Sequence, residues 1–274
     1  MIKSMFSAVT GLKGHQTMMD VIGNNIANVN TTGFKSSRVT FSDLYYQTMS
    51  SSSAPTATMG GQNPTQIGYG SQVASIDLMN TRSGFQQTGR PLDTYISGEG
   101  FFVAQDSAGQ LNYTRVGAFS FDAAGNLLDG TGNFVMGTLT PPVGATLAPI
   151  NINQIEDYTG IAIGADGTIT GTNTATMAID VLGQVAVAVF NNPDGMEQRG
   201  DHYFGETLNS GAPAFTAPGS ALSGPLVSGG LEMSNVDLSK EFTDMIVAQR
   251  GYQANARVIT TSDQILEELV NLKR

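Results

Sequence analysis

The sequence has no cysteine, so neither disulfides nor thiolate metal sites contribute to its fold. That absence fits an oxidising compartment and a reducing one equally. Histidine is nearly missing too: His15 and His202 stand in no H-x-x-x-H or H-E-x-x-H pairing that would hold a metal. Apolar runs are short, the best being residues 185–190, and none is long enough to cross a bilayer as a helix. The beginning carries no apolar block of a cleavable signal, since Lys3 leads into an amphipathic segment with Gly11 and Gly14. Export, where it occurs, is therefore expected to use a route that reads something else. Neither G-x-S-x-G nor a phosphate-binding G-x-x-x-x-G-K-[ST] occurs.

Positive charge is also scarce. The formal net charge is −10, and residues 60–231 account for the excess with four basic and fourteen acidic groups. Residues 1–59 carry four and two, and residues 232–274 five and seven. A nucleic-acid partner would want a basic stripe, which is absent. Asp122, Asp129 and Asp166 sit in ordinary turn sequences without the D-x-[DN]-x-[DN]-G calcium pattern. No residue is singled out as catalytic, cofactor-binding or metal-ligating.

What the chain does have is pattern at its two ends. From Ser234 to Arg274, steps of four and three pick out Leu238, Phe242, Met245, Gln249, Tyr252, Ala256, Ile259, Asp263, Leu266 and Val270. Eight of these ten are apolar or aromatic, the 3.5-residue spacing of a helix seated on another helix. Ser234 serves as a start signal, and a helix over 236–272 would run about 55 Å. A rod of that length needs a long partner. At the other end Met5, Leu12, Met19 and Ile26 share one line, and Ala8, His15, Ile22 and Val29 a companion line. The two ends are expected to pair as one coiled coil with everything else inserted between them. Gly11, Gly14 and Gly23, with Asn24, Asn25, Asn28 and Asn30, make the first segment a poor helix alone. Its order is expected to come from neighbours that pack on it.

Between the ends the chain divides by composition. Residues 1–33 form the N-terminal helix and its stop at Asn30-Thr31-Thr32-Gly33, and residues 34–67 an extended linker. Its stretch 47–66 is polar, rich in Ser, Thr, Gly and Pro, and reads as a linker or long loop. From residue 68 to 230 short β-branched and aromatic runs alternate with turns at 107–109, 122–126, 129–133 and 166–167, which argues an antiparallel sandwich or barrel. Residues 205–230 read as a second Gly/Ser/Pro-rich connection, and 231–274 as the C-terminal helix. The expected class is α+β in several parts.

Three stretches carry a resemblance to the bacterial flagellar rod–hook protein family: Val21 to Phe41, rich in asparagine, Gly89 to Val103, and Leu231 to Arg274. Their order and separation cover both ends and much of the middle. The resemblance implies a structural protein, not an enzyme and without cofactor, that polymerises into a hollow helical tube. It implies an inner layer made of terminal helices and an outer β layer. The partners implied are copies of itself, adjoining rod, hook-cap and hook–filament junction proteins, and the flagellar export apparatus, with no membrane insertion. The segment after the first helix would touch neighbouring subunits. Within the family the ending is similar to a short hook subunit, placing the protein in the extracellular hook. A distal rod subunit of the basal body is the alternative, and a secreted β-rich binding protein or adhesin the alternative of another class. The expected polymerisation seam is Met5, Leu12, Met19, Ile22, Ile26, Val29, Leu238, Phe242, Met245, Tyr252, Ile259 and Leu266.

Overall fold

The computed structural model describes residues 2–56, 59–139, 147–152 and 154–272. They fall into two compact units. One comprises Met1–Ala27, Ser37–Leu78 and Val236–Arg274, the other Asn28–Ser36 and Met79–Asn235.

The first unit is built on helices α1 (Ile2–Ala27) and α2 (Leu238–Asn271). Asp237 caps α2 by accepting hydrogen bonds from the backbone N–H of Ser239 at 2.9 Å and Lys240 at 3.3 Å. The helix therefore starts at Leu238 and not at residue 236, because this carboxylate satisfies two N–H groups that have no partner within the helix. α1 stops at Ala27, so Val29 of the expected seam lies beyond it, in a turn that belongs to the other unit.

The expected linker at 34–67 contains strands. β1 (Ser37–Asp43), β2 (Tyr46–Ser50), β3 (Thr65–Gly68) and β4 (Ser71–Leu78) make a nested antiparallel ribbon, β1 with β4 and β2 with β3. A bridge between Ser53 and Gln62 carries the pairing further toward the tip. Every residue of β2 is exposed. With no buried face there is no alternation to read in the sequence, which is why the pairing was hidden there. The ribbon seats on α1 where side chains are small: a Cβ on Gly14 would lie 3.0 Å from the Phe41 ring, and one on Gly70, at φ 114°, would lie 3.1 Å from the Ser7 Cα.

The second unit is mainly β, and every strand pair in it is antiparallel. Its strands are β5 (Phe85–Gln87), β6 (Thr94–Ile96), β7 (Phe101–Gln105), β8 (Leu111–Thr114), β9 (Ser120–Phe121), β10 (Leu127–Leu128) and β11 (Phe134–Thr138). They continue with β12 (Ala148–Pro149), β13 (Tyr158–Ile163), β14 (Thr168–Asn173), β15 (Ile179–Val185), β16 (Val187–Val189), β17 (Glu197–Gly200) and β18 (Tyr203–Gly205). The last are β19 (Ala214–Thr216), β20 (Leu226–Ser228) and β21 (Gly230–Glu232). The main sheet runs β13-β14-β15-β11-β7-β8-β18-β17.

β7 is the centre. Phe101, Phe102, Val103 and Ala104 are all buried, so both of its faces are covered. Phe102 joins Ile96, Phe119, Leu127, Val135, Ile150, Ile169 and Val187 on one side. Phe101 meets Phe190, Phe204 and, through Phe190, Tyr113 on the other, with ring centroids 4.8–6.0 Å apart. Residues 205–230, expected as a plain connection, contain β19 and β20. β20 pairs with β6 and β21 with β5, so the end of the unit closes on its beginning.

Candidate functional site: the helix pair and its uncovered flanks

Three close approaches fix how the two helices meet. A Cβ on Gly11 would lie 2.8 Å from the Asn255 side chain, and one on Gly251 would lie 2.5 Å from the His15 ring. Asn25 Nδ2 donates to Glu241 Oε2 at 3.3 Å. As the numbers climb on α1 they fall by the same steps on α2, so the helices are antiparallel in one constant register. Glycine at both crossings lets the backbones approach where any side chain would hold them apart.

The face of α2 that this register turns inward comprises Glu241, Met245, Ala248, Tyr252, Asn255, Ile259, Ser262 and Leu266, all buried or half-buried. One predicted line, Met245, Tyr252, Ile259 and Leu266, is thus brought to the contact. Leu238, at the head of that line, is 39 % exposed. The companion line is not brought there: Phe242 is 50 % exposed and Val270 69 %. Its place is taken by the residues one position away, Glu241, Ala248, Asn255 and Ser262. They are small or polar, so apolar counting passes over them, yet they suit a glycine-bearing partner. On α1, Met5, Leu12, Met19 and Ile26 are half-buried and Ile22 is buried.

Rotating the seam leaves large apolar side chains outside. At about 100° per residue, Leu238, Phe242 and Ile246 form one flank of α2. Val247, Val258, Ile265, Leu269 and Leu272 form a second, well round the helix from the first, and all eight are exposed. Phe6 and Val9 of α1 are exposed as well. Burial holds the Glu241 carboxyl above the usual carboxylate range, against the opposing hydrogen bond from Asn25.

Asn25 has a second role. It is 1 % exposed, and its amide exchanges two hydrogen bonds with the Ser37 backbone, at 2.9 and 3.0 Å, like one rung of a sheet. An asparagine that reads as a helix breaker therefore ties the end of α1 to the start of the ribbon.

In the β unit the residues that sequence reasoning missed are a polar clasp. Lys35 and Glu232, both fully buried, form an ion pair at 2.6 Å, and Lys35 Nζ also donates to the Thr81 carbonyl at 2.8 Å. Arg115, 1 % exposed, lies 3.7 Å from the other Glu232 oxygen, donates to the Gly98 carbonyl at 2.8 Å and stacks 4.9 Å from the Phe101 ring centroid. Asn235 accepts from the Ser36 N–H at 2.7 Å and donates to the Met79 carbonyl at 2.7 Å. Burial pulls the Lys35 ammonium and the Arg115 guanidinium below their ordinary values, with Glu232 opposing both shifts. The clasp joins the chain's entry into the unit to its exit. The only hint in the sequence was that Lys35 and Glu232 fall inside two of the stretches that carry the family resemblance.

The turn aspartates are occupied by their own turns. Asp122 accepts from the N–H of Ala124 and Asn126, Asp129 from Thr131 and Asn133, and Asp166 from Thr168. No group of three or more metal-ligating side chains occurs among the described residues, and no described helix is long and apolar enough to cross a membrane. The Tyr203 phenol is pushed up to about 12 by burial and by its hydrogen bond to Asp129.

A helix pair with uncovered apolar flanks and a clasped β unit is the layout of a protein that works through its surfaces, and comparison with known proteins agrees. Residues 5–35 match the family described as flagella basal body rod protein. Residues 95–171 match the flagellar hook protein FlgE/F/G D1 domain, and residues 227–272 the flagellar basal body rod FlgEFG protein C-terminal family. The flagellar basal-body rod protein FlgG of Bacillus subtilis is 47 % identical over all of both chains, and that of Agrobacterium fabrum 36 % over 96 % of this chain and 97 % of its own. The flagellar hook protein FlgE of Borreliella burgdorferi is 30 % identical across the whole of both chains. The chain belongs to the bacterial flagellar rod and hook protein family. It is a structural protein of the flagellum and not an enzyme.

Proposed function

We propose that the protein is a subunit of the flagellar rod, in preference to the hook subunit expected from its ending. The full-length likeness to a rod protein spans 279 aligned positions, nearly the length of this chain, whereas alignment to the hook protein runs to 442 positions. Much of the hook protein therefore has no counterpart among these 274 residues.

The subunits polymerise into a tube through the terminal helices, which wind on each other as a coiled coil, and the ribbon 37–78 reaches neighbouring copies. The observation that carries this reading is the uncovered apolar surface of α2, where Phe242, Ile246 and Leu269 are about half exposed or more. Each large side chain gains about 1.5–3 kcal/mol on full burial, and many such contacts repeat along a tube. The seam residues Met5, Leu12, Met19, Ile22, Ile26, Met245, Tyr252, Ile259 and Leu266 hold the pair, while Leu238 and Phe242 face neighbours. The protein passes through the flagellar export apparatus and takes its place in the basal body beside other rod proteins.

Electron microscopy of the purified chain under assembling conditions tests this. Straight tubes support a rod subunit, curved tubes return the assignment to the hook, and a chain that stays monomeric at every concentration overturns it.

A further inference from the structure

The register of the helix pair has a geometric consequence. α1 has 26 residues and α2 has 34. Continuing the pairing of Gly11 with Asn255 places Ile2, the first residue of α1, opposite Gln264, while Ala27 meets the start of α2. The two helices are thus level at one end, and α2 runs on alone for its last two turns at the other. Within 265–272, five of eight residues are apolar: Ile265, Leu266, Leu269, Val270 and Leu272. Leu269 is 49 % exposed and Leu272 82 %. Leu266 ends the line that meets α1, and Ile265, Leu269 and Leu272 carry the second bare flank on past the end of α1.

At the opposite end of the same helix lies the other bare strip, Leu238, Phe242 and Ile246. One helical turn beyond Ile246 comes Arg250, and the overhang carries Glu267 and Glu268. None of these three charges belongs to an ion pair among the described residues. We propose that the overhang of one copy seats on the Leu238–Phe242–Ile246 flank of a second copy, with Arg250 facing the overhang's glutamates. This rests on the reading of the protein as a self-assembling rod subunit. The two surfaces differ and sit at opposite ends of one helix. Their union is a heterologous contact, the kind that adds copies into an open helical filament when its rotation does not close a ring.

Such a contact has a signature that a self-complementary one lacks. Phe242→Asp removes one surface and leaves the overhang, while Leu269→Asp removes the overhang and leaves the flank. Each variant alone is expected to raise the concentration needed for assembly by about a hundredfold, with the denaturation profile of the β unit unchanged. Mixed in equal amounts, the two are expected to form one-to-one dimers and stop there, because one intact junction survives per pair. Sedimentation of each variant and of the mixture, beside the unaltered chain, gives the answer. Dimers in either variant alone, or a mixture that stays monomeric, overturn the contact. So does assembly of both variants at the concentration of the unaltered chain. An unaltered chain that never assembles overturns the rod reading instead, which keeps the two failures distinguishable.

Discussion

α2 is 34 residues long and fully buries only Ala248 and Ser262 among its described residues. β7 is five residues long and buries four of them. The two units of this chain thus solve opposite problems. The β unit carries its own core, Ile96, Phe102, Phe119, Leu127, Val135, Ile150 and Ile169 among it. The helix unit shares its internal contact between one apolar line and a line of small or polar residues, and leaves Phe242, Ile246, Val247 and Leu269 exposed. Marginal burial in one region beside a dense core in another is what a subunit needs if it folds alone but orders fully only in company.

The comparison breaks most sharply at Phe102. Phe102→Ala removes a ring stacked edge-on against Phe119, with centroids 5.0 Å apart, and should cost the β unit about 3–5 kcal/mol. Chemical denaturation followed by tyrosine signals should show that transition collapse. Loss of helix order in step with it would mean that the units are not energetically separate.

Glu232→Gln comes next. It leaves Lys35 and Arg115 buried without their shared carboxylate, and breaking a buried pair from one side typically costs about 3–5 kcal/mol. Two acceptors for Lys35 and Arg115 survive, the carbonyls of Thr81 and Gly98, so the lower end of that range is expected. The double variant Lys35→Met, Glu232→Leu removes that pair together and should recover part of the loss, Arg115 staying buried with the Glu99 carboxylate, 3.9 Å away, as its remaining counter-charge. A double variant as unstable as Glu232→Gln would show that the charges themselves, and not the failure to pair them, hold the unit closed.

The helix unit answers to finer changes. Gly251→Ala places a methyl group 2.5 Å from the His15 ring. Overpacking of that kind costs about 1–3 kcal/mol, more than the gain of about 1 kcal/mol in helix propensity. At Gly23 an added Cβ meets nothing within 4 Å, so Gly23→Ala should keep that gain. Circular dichroism at 222 nm against temperature should therefore move in opposite directions for two formally identical substitutions. Equal gains would mean that the helices do not approach at Gly251.

These cases mark how far the sequence could be read. Periodicity located both helices and the line Met245–Tyr252–Ile259–Leu266, since a repeat of seven survives any small rotation. It could not choose the companion line, because Phe242 and Val270 look like core residues while Ala248, Asn255 and Ser262 do not. Small residues reach a seam by permitting close approach, a property that becomes visible only with the partner's glycines opposite. The turn-punctuated β region was legible from Asp122, Asp129 and their glycines. Lys35 with Glu232 was not, because 197 positions separate them and a lysine in isolation reads as surface. Ribbon strand β2 was hidden for the reverse reason, having no buried side at all.

Acid should separate the two units most gently, and with opposite signs. The Glu241 carboxyl is held above its ordinary value by burial, so the folded helix unit binds that proton more tightly than the unfolded chain does. Its stability therefore rises as pH falls through the folded value, and the gain is complete below the unfolded value of about 4.3. The turn aspartates run the other way. The Asn126 side chain holds Asp122 below the usual range, and the Thr168 hydroxyl does the same for Asp166. Their contribution is whole above the unfolded value of about 3.9 and disappears as pH falls through the folded values. Between neutrality and about pH 4 the helix unit should firm while the turns hold; below that the turns should loosen. Hydrogen exchange corrected for intrinsic rates, followed separately in residues 238–250 and 120–130, resolves the two. Glu241→Gln keeps an acceptor for Asn25 and should abolish the helical response alone; persistence of that response in the variant would assign it to another group.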